Sequence, residues 1–189
     1  SSSIKGEGKT FTAYNIAASY VAAGKKVLIL GCDLRNPQLH NLAKINRKSN
    51  SKGLSTLLSN SSNEFSSDYI NSVSIFEKNM DLLLSGPIPP NPAELLSGDL
   101  FSKLLESLKK KYDYIIIDSA PLLLVSDTIP LLKQADLVLY TVRAQYTRKT
   151  LADYIKSIVS EQKVNNMGIV FNGVKAAPNS SYCLLYTSP

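Results

Sequence analysis

Gly6-Glu7-Gly8-Lys9-Thr10 brings together the residue types needed to hold a chain of phosphates. Gly6 and Gly8 let backbone N–H groups approach phosphate oxygens with no Cβ in the way. Lys9 offers an ammonium for the terminal phosphates, and Thr10 a hydroxyl for an accompanying Mg²⁺. The phosphate-loop pattern is Gly, four residues, then Gly-Lys-Ser/Thr. Its second half is met here, with Ser3 in the place of the first glycine. A helix starting at this point would add its N-terminal dipole to the anion site. The same five residues also suit a glycine turn that merely caps a helix.

Two acidic strand ends extend the pattern. Tyr114-Ile115-Ile116-Ile117 is an apolar run that ends in Asp118. Val27-Leu28-Ile29-Leu30-Gly31 is followed closely by Asp33 and Arg35. Ligands of an open α/β sheet lie beyond the carboxyl ends of its strands. Both acids are therefore placed to organise a metal, directly or through water. Asp118 could instead cap the segment that follows it. One phosphate loop and two acidic strand ends, in this order, make a metal–nucleotide constellation.

These residues need a scaffold, and the hydrophobic pattern describes one. Thr10 to Ala23 has helical spacing, with Ile16, Ala17, Tyr20 and Val21 on one face, and Gly24 ends it. Val27–Leu30 has the continuous apolar character of a strand buried on both faces of a parallel sheet. From Asn46 to Ser74 the chain is rich in Ser and Asn, with a short helix around Leu54–Leu58. Met80–Leu84 reads as a strand. The prolines of Gly86–Pro92 exclude helix and central strand, and Pro92 suits the opening of a helix over Ala93–Leu96. A helix with Asp99 as N-cap is expected to reach Lys111. Tyr114–Ile117 reads as the clearest buried strand, followed by strand Leu137–Tyr140, helix Thr147–Gln162 and strand Gly168–Phe171. Alternating strands and helices imply an α/β fold, a mostly parallel sheet with helices on both faces. A strand normally feeds a phosphate loop. The chain starts too close to the loop to supply one, so Ser1 is read as a truncation point, with the N-terminal strand missing and the loop poorly supported. Residues 1–179 are expected to form one domain, and 180–189 a non-native or disordered tail.

Composition narrows the function classes. The chain has 189 residues, 44% hydrophobic and 19% charged, as expected of a single folded core. The net charge of +6 is scattered. Its one tight run, Lys109-Lys110-Lys111, suits a helix C-terminus, so no nucleic-acid partner is inferred. Cys32 and Cys183 form no disulfide or zinc pattern, which fits a reducing compartment. No apolar stretch is long enough to span a bilayer. His40 is assigned to packing or surface, and Cys32 to a buried position near the sheet end. Arg35, Arg143 and Arg148 are assigned to surface, with phosphate or neighbouring-subunit contacts as the alternative.

Taken together, these segments resemble the bacterial tyrosine kinases of exopolysaccharide and capsule synthesis (BY-kinases). The likeness is to the forms whose kinase domain is fused behind a membrane-spanning chain-length-determinant region. Residues 6–10 match Walker A, 27–35 Walker A′ and 115–121 Walker B. The Ser85–Leu96 segment, Ser-Gly-Pro-Ile-Pro-Pro-Asn-Pro-Ala-Glu-Leu-Leu, is particular to that family. The resemblance implies a P-loop NTPase fold that uses ATP and Mg²⁺. It implies Lys9, Asp33 and Asp118 as catalytic residues, and Thr10, Asp33 and Asp118 as metal-binding. Gly6, Glu7, Gly8, Lys9, Thr10, Phe11, Arg35 and Asn172 would contact the nucleotide. For Asn172, an adenine contact stands beside turn formation with Gly173. The implied substrates are the protein's own C-terminal tyrosines or those of neighbouring subunits in a ring, at the cytoplasmic face of the inner membrane. Two departures stand out. Many family members carry a first Walker A′ aspartate where this chain has Gly31, and the terminal tyrosine cluster is reduced to Tyr182 and Tyr186. Two other readings stand beside this one. A ParA/MinD-type ATPase would carry a signature lysine where Ile4 stands. A catalytically weak regulatory subunit would bind nucleotide without transferring it.

Overall fold

Val27–Gly31 forms β1, buried along its whole length, and the larger sheet is built around it. In the computed structural model, residues 1–46, 52–59, 65–123, 126–161, 164 and 166–175 are described. β1 follows helix α1 (Lys9–Ala22). After it come α2 (Leu39–Leu42), α3 (Leu54–Ser59), β2 (Ile70–Ile75), β3 (Lys78–Leu83), α4 (Pro92–Ser97) and α5 (Asp99–Lys109). β4 (Tyr114–Asp118), α6 (Ile129–Gln134), β5 (Val138–Arg143), α7 (Leu151–Glu161) and β6 (Met167–Asn172) complete the chain order.

Four strands lie in the order β2-β3-β1-β4, and β5 and β6 form a separate parallel pair. β1 is parallel to both β3 and β4, with Leu28 opposite Asp81 and Ile115. β2 runs antiparallel to β3. Alternation along β1 divides the core into two layers. Leu28 and Leu30 pack with Leu54, Leu96, Phe101 and Leu105 from α3, α4 and α5. Val27 and Ile29 pack with Ala17 and Val21 of α1, and with Leu39 of α2. Helices therefore cover both faces, as the alternating pattern implies. In α5 the buried Phe101, Leu104, Leu105 and Leu108 recur at helical spacing, while Glu106 and Lys109 pair on the solvent side at 3.0 Å.

The elements differ from expectation in five places. β2 emerges from the Ser- and Asn-rich stretch. It is a half-buried edge strand whose Ser72 hydroxyl bonds the Asp81 carboxylate of β3, so polar residues are at home there. Asp99 is not an N-cap. Gly98 takes that position without a side-chain bond, and Asp99 lies in the first turn, near the positive end of the helix dipole. α7 begins at Leu151 and not at Thr147, because the Thr147 hydroxyl accepts the Arg143 N–H at 2.8 Å and holds a turn. β4 is less enclosed than its apolar sequence implies. Ile115–Ile117 are half-buried and Tyr114 is exposed, since β4 pairs only with β1 and its other edge faces a cavity of about 560 Å³ that separates it from β5. Finally, a 3-10 turn at Ser126–Thr128 leads into α6, an element without a strong sequence signal.

Residues 1–3 join the two sheets. Ser2 bridges Thr141 of β5 in parallel, and the Thr141 N–H donates to the Ser1 carbonyl at 2.7 Å. On the other side, the Leu122 N–H donates to the Ser2 carbonyl at 2.9 Å. The Ser3 and Tyr140 hydroxyls share a buried bond of 2.6 Å. A third core, with Leu122, Leu132, Val138, Tyr140 and Ile158, fills the space beneath α6 and α7. Residues 180–189, expected to form a separate tail, lie outside the described residues.

Candidate functional site

The phosphate loop passes into α1 at Gly8, which caps the helix in a left-handed conformation (φ 94°). A side chain there would be strained, and its Cβ would run into the Asn172 carboxamide. The loop lines a cavity of about 420 Å³ beyond the carboxyl ends of β1 and β4. Gly6, Gly8, Lys9 and Thr10 face it from the loop, and Asp33 and Arg35 from the segment after β1. Phe11, Ala120 and Pro121 supply an apolar wall. The structure thus brings most of the expected site residues to one cavity.

Asp118, the last residue of β4, is buried, and its Oδ1 accepts the Thr10 hydroxyl at 3.2 Å. Burial pushes its carboxyl up from 3.8 to about 6, against the opposing pull of the Thr10 bond and the Lys9 charge. Asp33 is also raised by burial, while the Asn36 N–H, donated at 2.9 Å, and Lys9 pull it down. Two buried carboxylates therefore share Lys9 as a counter-charge, a site short of positive charge. Among the described residues no group of three or more His, Cys, Asp or Glu forms a metal cage. Two carboxylates and a hydroxyl suit Mg²⁺, which keeps several waters and takes phosphate oxygens. Thr10, Asp33 and Asp118 fit that ion.

The outer side of the loop is held from the β5–β6 sheet. Arg143 Nη1 donates to the Gly6 carbonyl at 2.9 Å, and the Tyr146 hydroxyl to the Lys5 carbonyl at 3.0 Å. The Arg143 guanidinium also lies 5.3 Å from the Tyr146 ring centre. Glu7 is fully buried, and its carboxylate accepts the Ile4 N–H at 2.8 Å and the Thr147 hydroxyl. Asn172 at the end of β6 donates its amide to the Glu7 carbonyl at 2.9 Å, and its side-chain oxygen accepts the Gly173 N–H at 2.8 Å. The loop expected to be poorly supported is therefore held by side chains from four positions. Arg143 and Arg148 are both exposed, as assigned by sequence, and Arg143 is also one of the four. Glu7 turns its side chain into the protein, and Asn172 has its amide on the loop backbone. Tyr146 and Thr147 had no sequence signal, because they meet the loop only through the fold.

Gly31, in the place of a family aspartate, has a structural reason. A Cβ there would lie 2.9 Å from Ser85 Oγ and 3.1 Å from the Ser85 backbone nitrogen, at the head of the Pro-rich segment. Gly31→Asp is accordingly expected to lower stability by about 1–3 kcal/mol in urea unfolding, through overpacking. An unchanged midpoint would mean that Ser85 gives way freely. Cys32 is buried as expected, and its thiol is pushed well up by burial and by the neighbouring Asp118 and Asp33. His40 is half-buried in α2.

Comparison with known proteins agrees with this geometry. The family described as an AAA domain (AAA_31) matches residues 3–170. The chain is 38% identical over 182 residues to the tyrosine-protein kinase YwqD of Bacillus subtilis, covering 96% of this chain and 73% of that one. It is similar in structure to the kinase domain of the Escherichia coli tyrosine kinase ETK, with TM-score 0.80 and 30% identity over 96% of this chain and 69% of that one. Cobyrinic acid a,c-diamide synthase from Mycobacterium smegmatis, solved with ADP and magnesium, shares the fold at 20% identity, with TM-score 0.67 over 88% of this chain and 70% of that one. A P-loop on an α/β sheet, paired acids at the strand ends and these likenesses lead to one assignment: the chain belongs to the bacterial tyrosine-protein kinases.

Proposed function

We propose that this chain transfers the γ-phosphoryl group of ATP to tyrosine hydroxyls, its own C-terminal ones or those of neighbouring subunits. We further propose that this transfer regulates exopolysaccharide or capsule polymer synthesis at the cytoplasmic face of the bacterial inner membrane. The observation that carries the chemistry is Lys9, Thr10 and Asp33 lining one cavity beside the phosphate loop, with Asp118 joined to Thr10 by a hydrogen bond of 3.2 Å. Among the described residues no helix is long and apolar enough to cross a membrane. The reading places membrane attachment in a chain-length-determinant region, fused upstream or separate, with a homo-oligomeric ring as the assembly.

In the transfer, a bond forms between the acceptor oxygen and the γ-phosphorus as the bond to the β–γ bridging oxygen breaks, and ADP leaves. The tyrosine proton passes to Asp33, the carboxylate that faces the cavity from the segment after β1. Gly6 and Gly8 orient the phosphates through their backbone, and Lys9 offsets charge on the transferring group. Mg²⁺ held by Thr10, Asp33 and Asp118 would supply charge neutralisation of the phosphate oxygens.

The test is incubation of the full-length protein with ATP and Mg²⁺, followed by phosphotyrosine immunoblotting and mass spectrometry. Phosphotyrosine is expected to accumulate with time. ATP hydrolysis that never yields phosphotyrosine would overturn the kinase reading. Gly31 favours a second reading, a regulatory subunit that binds nucleotide without transfer. That reading predicts tight ATP binding with neither product.

A further inference from the structure

Asp127 belongs to no motif, yet it is buried in the 3-10 turn that follows β4. Its carboxylate accepts two bonds from Arg35, Nε to Oδ2 at 2.6 Å and Nη2 to Oδ1 at 3.1 Å. This is the bidentate fork that fixes a guanidinium in one plane, which a lysine cannot reproduce. Arg35 itself is half-exposed and lines the phosphate cavity. Its Nη1 makes no hydrogen bond to a described residue. The turn that carries Asp127 is anchored in turn. The Thr128 hydroxyl donates to the Ala120 carbonyl at 2.8 Å, and α4, from the Pro-rich segment, packs against the turn.

We propose that Asp127 is a positioning residue for phosphoryl transfer. It aims Arg35 so that Nη1 reaches the transferring phosphoryl group, and it locks the segment carrying Asp33 to the segment after Asp118. The inference rests on the kinase reading above. A buried carboxylate in a fixed turn is a better anchor than an exposed one, because the fork is desolvated on one side and the turn cannot follow Arg35 outward. A guanidinium held in advance costs no reorganisation as charge spreads over the phosphoryl oxygens. Its contribution therefore appears mainly in the rate and little in ground-state nucleotide affinity. The Pro-rich segment gains a role by the same route: it backs the turn that holds the anchor.

The experiment compares full-length wild type, Asp127→Asn, Arg35→Lys, the double variant and Arg35→Ala. Each is measured for phosphotyrosine kcat, for fluorescent mant-ATP affinity and for thermal midpoint. Asp127→Asn and Arg35→Lys should each lower kcat by about 10- to 100-fold while mant-ATP affinity changes by less than about threefold. The double variant should be no slower than the worse single, because both changes break one fork. Millimolar guanidinium should restore part of the Arg35→Ala rate, and should not do so when Asp127→Asn is also present. Unchanged kcat in Asp127→Asn would overturn the proposal. So would losses that multiply in the double variant, equal losses in kcat and affinity, or guanidinium rescue regardless of residue 127. If Asp127→Asn does not fold, the exposed Arg35→Ala decides: no rescue by guanidinium overturns the proposal. A wild type that makes no phosphotyrosine defeats the kinase reading instead, which separates the two failures.

Discussion

Lys9→Met lowers ATP affinity by at least about 100-fold and brings phosphotyrosine formation to background. Lys9 opens α1 on the cavity wall, and its charge acts on both Asp33 and Asp118. Its loss therefore acts twice. The phosphates lose a cation that the loop backbone cannot replace, and two buried carboxylates face the incoming polyanion with no lysine between them. Methionine has similar length and apolar volume, so the fold should survive and the comparison stays clean. Isothermal titration with ATP and Mg²⁺ reads the affinity directly. An unchanged value would refute the assignment of this loop to phosphate binding.

The second large effect belongs to Asp118→Asn, and its two consequences have opposite signs. Phosphoryl transfer should fall by about 1,000-fold, since a neutral amide cannot hold a divalent cation as a carboxylate does. Metal-free stability should rise. The folded carboxyl is raised from 3.8 to about 6, so folding favours its protonated form. That contribution is complete below pH 4 and is lost as pH climbs through about 6. At neutral pH the charged carboxylate then costs the metal-free fold up to about 3 kcal/mol, from two pH units at about 1.4 kcal/mol each. Urea unfolding in EDTA should show the stability gained by Asp118→Asn over wild type growing between pH 4 and 7. Parallel curves would contradict the burial assigned to Asp118. The same excess of buried negative charge that destabilises the empty site is what a magnesium–nucleotide complex would relieve.

The parts of this molecule legible in the sequence are those encoded by neighbours along the chain. The phosphate loop, the all-apolar β1 and the amphipathic α5 each carry their signal within a few residues, because backbone approach, two-sided burial and helical spacing are local demands. Asp33 and Asp118 were legible for a related reason: strand ends converge on one edge of a parallel sheet. β2 was not, because an edge strand is half solvated and needs no apolar alternation strong enough to stand out from Ser and Asn. The supports of the loop were hidden altogether. Arg143, Tyr146 and Thr147 reach Lys5, Gly6 and Glu7 across the whole chain, and Asp127 meets Arg35 only when two loops are folded side by side. Polar side chains that bond to backbone carbonyls leave no periodicity, so only the fold reveals them.

The short run from Ser1 to Gly8 is a seam as well as a grip. Ser2 and Ser3 are stitched to β5 on one side and to the stretch after β4 on the other, and the next residues receive Arg143, Tyr146 and Asn172 from the smaller sheet. A ligand seated there would be clasped by both halves of the molecule at once. Any fluctuation that draws the halves apart must also loosen the clasp, so occupancy and the cohesion of the two sheets rise and fall together.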